Sequence, residues 1–195
     1  DAQHMPEDGK RYEVIDGQLY VTPAPSRRHQ WVCGRLFLAL VRLLEEPGHG
    51  WAYAAPLSVE FPETAEGVQP DLIFVSRGRA ERLVHEGIRG APDLVVEVLS
   101  PSTAERDRTI KRKLYRRQGV RAYWIVDPDA ESVDVWDLEF GGDDPVRHSD
   151  CLPVQLGDDS FGAIPLPAIF APYALESPPI SQFPLRLSPA GERPS

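Results

Sequence analysis

The sequence predicts an α/β fold, a mixed β-sheet flanked by helices, and three observations carry that prediction. Its apolar segments run β-β-α-β-β-β-α-β-β along the chain. Asp93-Leu94-Val95-Val96-Glu97-Val98-Leu99 is its most strongly apolar short run and is rich in β-branched valine, which marks a central strand buried on both faces. A helical stretch follows at once and leads into another apolar strand, so these two strands should lie parallel across the helix.

Taken in order, residues 12–21 read as a β-hairpin whose Asp16-Gly17 pair supplies the two positive-φ positions of a type I′ turn. Pro23-Ala24-Pro25-Ser26 breaks the strand. From 28 to 46, Trp31, Leu36, Leu38, Leu40, Val41 and Leu44 form a broad apolar helical stripe, stopped by Pro47-Gly48. Residues 51–61 return to strand through Tyr53, Leu57, Val59 and Phe61, and 63–68 read as a polar connection. Asp71 to Val75 is a short strand, and 76–91 is a charged loop with a helical turn around 80–84. Ser102-Thr103-Ala104-Glu105 matches a capping box, so the next helix should run to Gln118, with Gly119 at its C-cap. Strands are expected at 122–126 and 133–138, joined through Asp127-Pro128-Asp129, and weaker ones at 154–156 and 163–166.

At 195 residues the chain can bury one real core, which gives a single domain over 1–175. Residues 176–195 are rich in Pro and Ser, have few apolar side chains, and read as a tail. A hydrophobic content of 42% with 26% charged residues is ordinary for a globular chain, and no apolar run approaches the ~18 residues of a membrane span. Cys33 and Cys151 show no metal-ligand or redox spacing and are expected as free thiols in a reducing cytoplasm. The net charge of −9 argues mildly against a nucleic-acid partner, but the charge is segregated. Between Ser102 and Arg121, eight basic residues against Glu105 and Asp107 give +6, leaving −15 for the rest. A solvated helix face explains such a segment equally well.

Carboxylates inside strands carry the chemistry. In the strand at 93–99, Asp93, Val95, Glu97 and Leu99 share one face and Leu94, Val96 and Val98 the other. Glu97 therefore needs a partner from elsewhere, either Asp71 of a neighbouring strand through a shared metal or an arginine such as Arg89 or Arg106. Two such carboxylates suit Mg²⁺, whose hard oxygen chemistry fits phosphate substrates. Asp93, at the strand start, is expected to cap a turn. Asp107, Lys111 and Tyr115 recur at i, i+4 on one helix face, where Lys111 either reaches the carboxylates or pairs with Asp107 alone. Glu13, in line with Ile15, is a further metal or water ligand, or a solvated hairpin residue. His29, at a helix start, is a catalytic or a structural histidine.

The ordered set Tyr12-Glu13-Val14-Ile15-Asp16-Gly17, His29, Gln69-Pro70-Asp71-Leu72, the run from Ala91 to Ser102, Asp107/Lys111/Tyr115/Gly119-Val120 and Tyr123-Trp124-Ile125-Val126-Asp127 resembles the Uma-two (Uma2) family of restriction-endonuclease-like proteins. That family is a branch of the PD-(D/E)xK nuclease superfamily. The resemblance covers roughly residues 8–140, and the weak strands ending near Leu166-Pro167 look like the family's C-terminal hairpin. It implies a restriction-endonuclease-like core and a divalent metal, Mg²⁺ or Mn²⁺. By motif position Asp71 looks like the superfamily's aspartate and Glu97 like its second acid. One departure stands out. The superfamily's lysine belongs two residues after the acid, where this chain has Leu99, and Lys111 looks like the displaced lysine.

The expected activity is metal-dependent cleavage of nucleic acid, DNA by preference. Asp71, Glu97 and the Val98 carbonyl would hold the metal, Lys111 would orient water or balance transition-state charge, and Glu13 would hold a metal-bound water. Arg108, Arg112, Lys113 and Arg116 would track the phosphate backbone. A homodimer would suit cutting both strands of a duplex. Two alternatives stay open: a binding module that has lost catalysis, favoured by the missing strand lysine, and an oligomeric interaction protein with an acidic surface and a Pro-rich tail.

Overall fold

The computed structural model describes residues 10–171, so the expected tail at 176–195 and both ends of the expected 1–175 domain lie outside the described residues. The chain opens with β1 (Arg11–Ile15) and β2 (Gln18–Thr22), joined by Asp16 and Gly17 at φ 50 and 73 as the Asp-Gly pair predicts. Helix α1 (Arg27–Leu40) starts at Ser26, whose hydroxyl accepts the His29 N–H at 3.2 Å, and continues through a π-helical stretch, Val41–Glu45. Of the expected stripe, Leu36, Leu40 and Leu44 are fully buried together with Val32; Trp31 and Val41 are half-buried, and Leu38 is exposed.

The strand expected over 51–61 is two strands in different sheets. β3 (Gly50–Ala54) pairs with β6 (Leu72–Ser76), while β4 (Ser58–Phe61) pairs with β5 (Glu66–Val68). Pro56, with no N–H to give a ladder, marks the break. The expected polar connection at 63–68 contains β5, and Glu66 is buried there. Its carboxylate accepts the Asp16 N–H (2.9 Å), the Thr64 hydroxyl (2.8 Å) and the Gln118 amide (2.9 Å), and it pairs with Arg117. The helical turn of the charged loop is a 3₁₀ segment, Arg77–Arg82, and short strands β7 (Leu83–Val84) and β8 (Gly87–Arg89) follow it.

The central strand is β9 (Leu94–Val98), between β6, antiparallel, and β10 (Ala122–Asp127), parallel. β11 (Ser132–Asp137) and β12 (Val146–His148) complete a sheet ordered β12-β11-β10-β9-β6-β3, and a second sheet runs β2-β1-β5-β4-β8-β7. The alternation along β9 sorts two cores. Leu94, Val96 and Val98 pack toward α1, and Val95 packs with Leu114, Tyr115 and Tyr123.

Between β9 and β10 the chain forms α2 (Ala104–Arg106), a π-helical stretch at Asp107–Lys111 and α3 (Arg112–Gln118). The predicted capping box does not form. Thr103 is the N-cap and makes no side-chain cap; its hydroxyl is paired with the Ser100 hydroxyl at 2.9 Å. Gly119 ends the helix at φ 81, as expected. The weak C-terminal strands are longer than predicted, β13 (Cys151–Leu156) and β14 (Asp159–Pro165), and a short helix, α4 (Leu166–Phe170), follows them. No helix among the described residues is long and apolar enough to cross a membrane.

Candidate active site

Asp71 enters the site because it directly precedes β6, and the antiparallel register Leu72↔Val96 carries it opposite Glu97 on β9. Both carboxylates are buried. Asp71 is held on both oxygens. Oδ2 accepts the Val98 N–H at 2.8 Å and lies 3.1 Å from His29 Nε2, and Oδ1 accepts the Arg11 guanidinium. Burial alone would raise its pKa, but the His29 contact and the Arg11 charge outweigh it and hold the group at about 2.

Glu97 Oε1 accepts from Lys111 Nζ at 2.9 Å and from the Tyr115 hydroxyl at 2.7 Å, so neither Arg89 nor Arg106 is its partner. Burial pushes Glu97 above the usual carboxylate range. Lys111 opposes that shift, while Asp107, Asp71 and Glu13 add to it. Lys111 Nζ also stands 2.8 Å from Glu13 and 3.6 Å from Asp107, and these three acids hold its ammonium form against the cost of burial. The wide turn at Asp107–Lys111 puts Lys111 on the buried side of the helix. Glu13, expected either as a ligand or as a solvated residue, is buried. It accepts the Gln69 N–H at 3.1 Å and pairs with Arg106 at 3.4 Å.

Four buried carboxylates (Glu13, Asp71, Glu97, Asp107) face Arg11, Arg106 and Lys111, with His29 beside Asp71. Glu13 Oε2 and Asp107 Oδ1 are buried without a hydrogen-bond partner among the described residues. A hard oxygen donor set with unsatisfied carboxylate oxygens fits a divalent cation such as Mg²⁺.

These groups meet a cleft of about 420 Å³. Its floor includes Asp71, Glu97 and Val98, and its walls come from the Pro23–Ser26 turn and the Ser100–Thr103 loop. Leu99 also lines the cleft, whereas Lys111 and Glu13 stand behind Glu97 and do not. Arg11 and Arg28 line the cleft and were not singled out from the sequence. Arg11 was findable, since it lies two positions before Glu13 on the same face of β1.

The four basic residues expected to track phosphates do not line the cleft. Arg108 pairs with Asp127 (3.3 Å) and Asp134 (3.1 Å). Arg112 donates to the Asp143 carbonyl (2.9 Å), and Arg116 bonds the Asp143 carboxylate (3.0 Å) and the Gly142 carbonyl (2.7 Å). Lys113 is exposed. Asp93 caps a turn as expected. It accepts the Ser76 N–H at 2.7 Å and pairs with Arg79 and Arg121. Cys33 is buried with its Sγ 3.5 Å from His29 Nδ1, and Cys151 is exposed.

Comparison with known proteins agrees with this fold. The family described as "putative restriction endonuclease", Uma2, matches residues 1–158. An uncharacterized protein of Synechocystis, slr1290, is 29% identical over 135 residues, covering 69% of this chain and 70% of its own length. A crystal structure from Anabaena variabilis, described as "a putative nuclease belonging to DUF820", shares the fold at TM-score 0.70. It is 19% identical, and the match covers 86% of this chain and 94% of that one. With its restriction-endonuclease-like α/β core, the chain belongs to the Uma2 family.

Proposed function

We propose that this protein is an endonuclease that hydrolyses phosphodiester bonds of DNA with Mg²⁺ or Mn²⁺. The observation that carries the reading is the register pairing of Asp71 with Glu97 on the floor of a cleft. Asp71, Glu97 and the Val98 backbone would hold the metal. Bound there, a divalent ion supplies a lowered pKa for an attacking water and neutralises charge on the phosphate.

The chain's own residues supply the rest. The Val98 N–H and Arg11 fix the Asp71 carboxylate. Lys111 and the Tyr115 hydroxyl fix Glu97 through one oxygen, which leaves the other to turn to the cleft. Glu13 and Asp107 anchor Lys111, so Lys111 and Glu13 act as positioning residues through Glu97. Arg11 and Arg28 on the cleft wall would meet the phosphate backbone, Arg28 by leaving the Phe170 carbonyl (2.6 Å) and Glu131 (3.2 Å). Arg108, Arg112 and Arg116 would join them only by leaving their present partners, and Lys113 is exposed to do so. One Asp71–Glu97 pair stands in each copy, so a homodimer would suit cutting both strands of a duplex.

Calorimetric titration of Mn²⁺ and Mg²⁺ into wild type and Asp71→Ala, with plasmid and single-strand cleavage on the same samples, tests the reading. The expected result is binding and cleavage in wild type and loss of both in the variant. Wild type that binds neither ion would overturn it. A second reading, a DNA-binding module without catalysis, draws on Leu99 and on a Lys111 spent on three carboxylates behind the cleft. It expects DNA binding that survives chelation, with no cleavage under either ion.

A further inference from the structure

We infer that His29, Cys33 and Asp71 form a second cation site, selective for a borderline-soft transition metal of the Zn²⁺ or Co²⁺ class. His29 and Cys33 are spaced i, i+4 on α1, which projects an imidazole and a thiol from one helix face. Asp71 meets them from the start of β6. The three offer one nitrogen, one sulfur and one oxygen, all within 4.8 Å of one another. Ligand atoms around tetrahedral zinc sit about 3.5 Å apart, as its bond lengths require. Side-chain rotation that closes the widest gap by about an ångström would therefore complete the set.

The surroundings suit such an ion. Asp71 is already oriented by the Val98 N–H at 2.8 Å and by Arg11, the kind of outer-shell support that metal-ligating carboxylates receive. His29 Nε2 points at Asp71 Oδ2 across 3.1 Å. Cys33 Sγ faces the other ring nitrogen, Nδ1, at 3.5 Å, so turning of the imidazole and the thiol would bring one nitrogen, the thiolate and the carboxylate onto a single ion, with the thiol proton released to solvent. His29 and Asp71 line the cleft, which gives an entry path, whereas Cys33 closes the site from the core side. Nitrogen and thiolate ligands discriminate against Mg²⁺ and favour zinc-like ions. This site shares Asp71 with the proposed nuclease centre but does not depend on the nuclease reading.

The test is cobalt titration of the full chain carrying Cys151→Ser, which leaves Cys33 as its one cysteine. A near-ultraviolet thiolate-to-cobalt charge-transfer band, growing to one equivalent and persisting in excess Mg²⁺, is expected, and it can arise only from Cys33. On the same background, His29→Gln should weaken Co²⁺ binding about tenfold or more, as loss of a ligand or its support does. Glu97→Gln should leave the band intact, because Glu97 belongs to the oxygen-ligand pair alone. No charge-transfer band in the Cys151→Ser protein would overturn the site. So would a band indifferent to His29→Gln, or one lost with Glu97→Gln, which would make Glu97 a ligand that the site requires.

Discussion

Lys111 shows what a single buried charge does here. Its ammonium serves Glu13, Glu97 and Asp107 within 3.6 Å, so Lys111→Met would leave three carboxylates around an apolar side chain. Breaking a buried network in this way costs about 3–5 kcal/mol, to be read from urea unfolding at neutral pH. Asp71 makes a prediction in pH. Its pKa is held at about 2, below the ordinary 3.8, so its contribution to stability is full above the ordinary value and is lost as pH falls through the folded one. The stability gap between wild type and Asp71→Asn should therefore narrow by about 2 kcal/mol between pH 5 and pH 1.5, measured by denaturant titration. Asp71 and Glu97 were legible in the sequence because a carboxylate inside an apolar strand has few physical explanations. Arg11 was less legible, since an arginine at a hairpin edge usually serves solvent. The i, i+4 pair His29 and Cys33 was hidden because its third member, Asp71, arrives from another element.

At the scale of elements, two glycines separate helix geometry from helix propensity. Gly119 sits at φ 81 with nothing within 4 Å of a built Cβ, so Gly119→Ala meets no clash and only the left-handed backbone cost of about 1 kcal/mol. Gly34, exposed within α1 and equally unobstructed, should respond the other way, with Gly34→Ala stabilising by about 0.5–1 kcal/mol. Thermal melts of the two variants check both signs. β9, α1 and the opening hairpin were readable because their periodicity or turn chemistry is local. The break between β3 and β4, and the short β5 and β12, were not readable. Their pairing is decided by distant partners, and Glu66 looks like loop polarity until Thr64, Gln118 and Arg117 surround it. The Ser102–Glu105 box does not form because the helix starts one residue later, at the Thr103 N-cap, whose hydroxyl is paired with Ser100.

At the scale of the whole molecule, the basic segment at 102–121 is offset by acids from other elements, among them Asp127, Asp134, Glu139, Asp143 and Glu66. A count of charge along the sequence overstates the field that this helix presents. If DNA follows the cleft, Arg28→Ala should lower the slope of log affinity against log salt by about 1, and Arg112→Ala should leave it unchanged. Fluorescence anisotropy with one labelled duplex over a salt series measures both.

The cluster that joins Glu13, Glu97 and Lys111 also sets a timetable. Glu13 and Lys111 lie 98 positions apart in the chain, yet their side chains are 2.8 Å apart in the folded protein. In the order of translation, Glu13 and Glu97 are both made before the lysine that pairs with them. Their carboxylates can settle into the interior only once that helical segment has arrived, because until then burial would leave them uncompensated. A fragment ending at Leu99 would carry Asp71, Glu97 and Val98 yet lack Lys111 and Tyr115, the two groups that hold Glu97 Oε1, so it should not close this cluster.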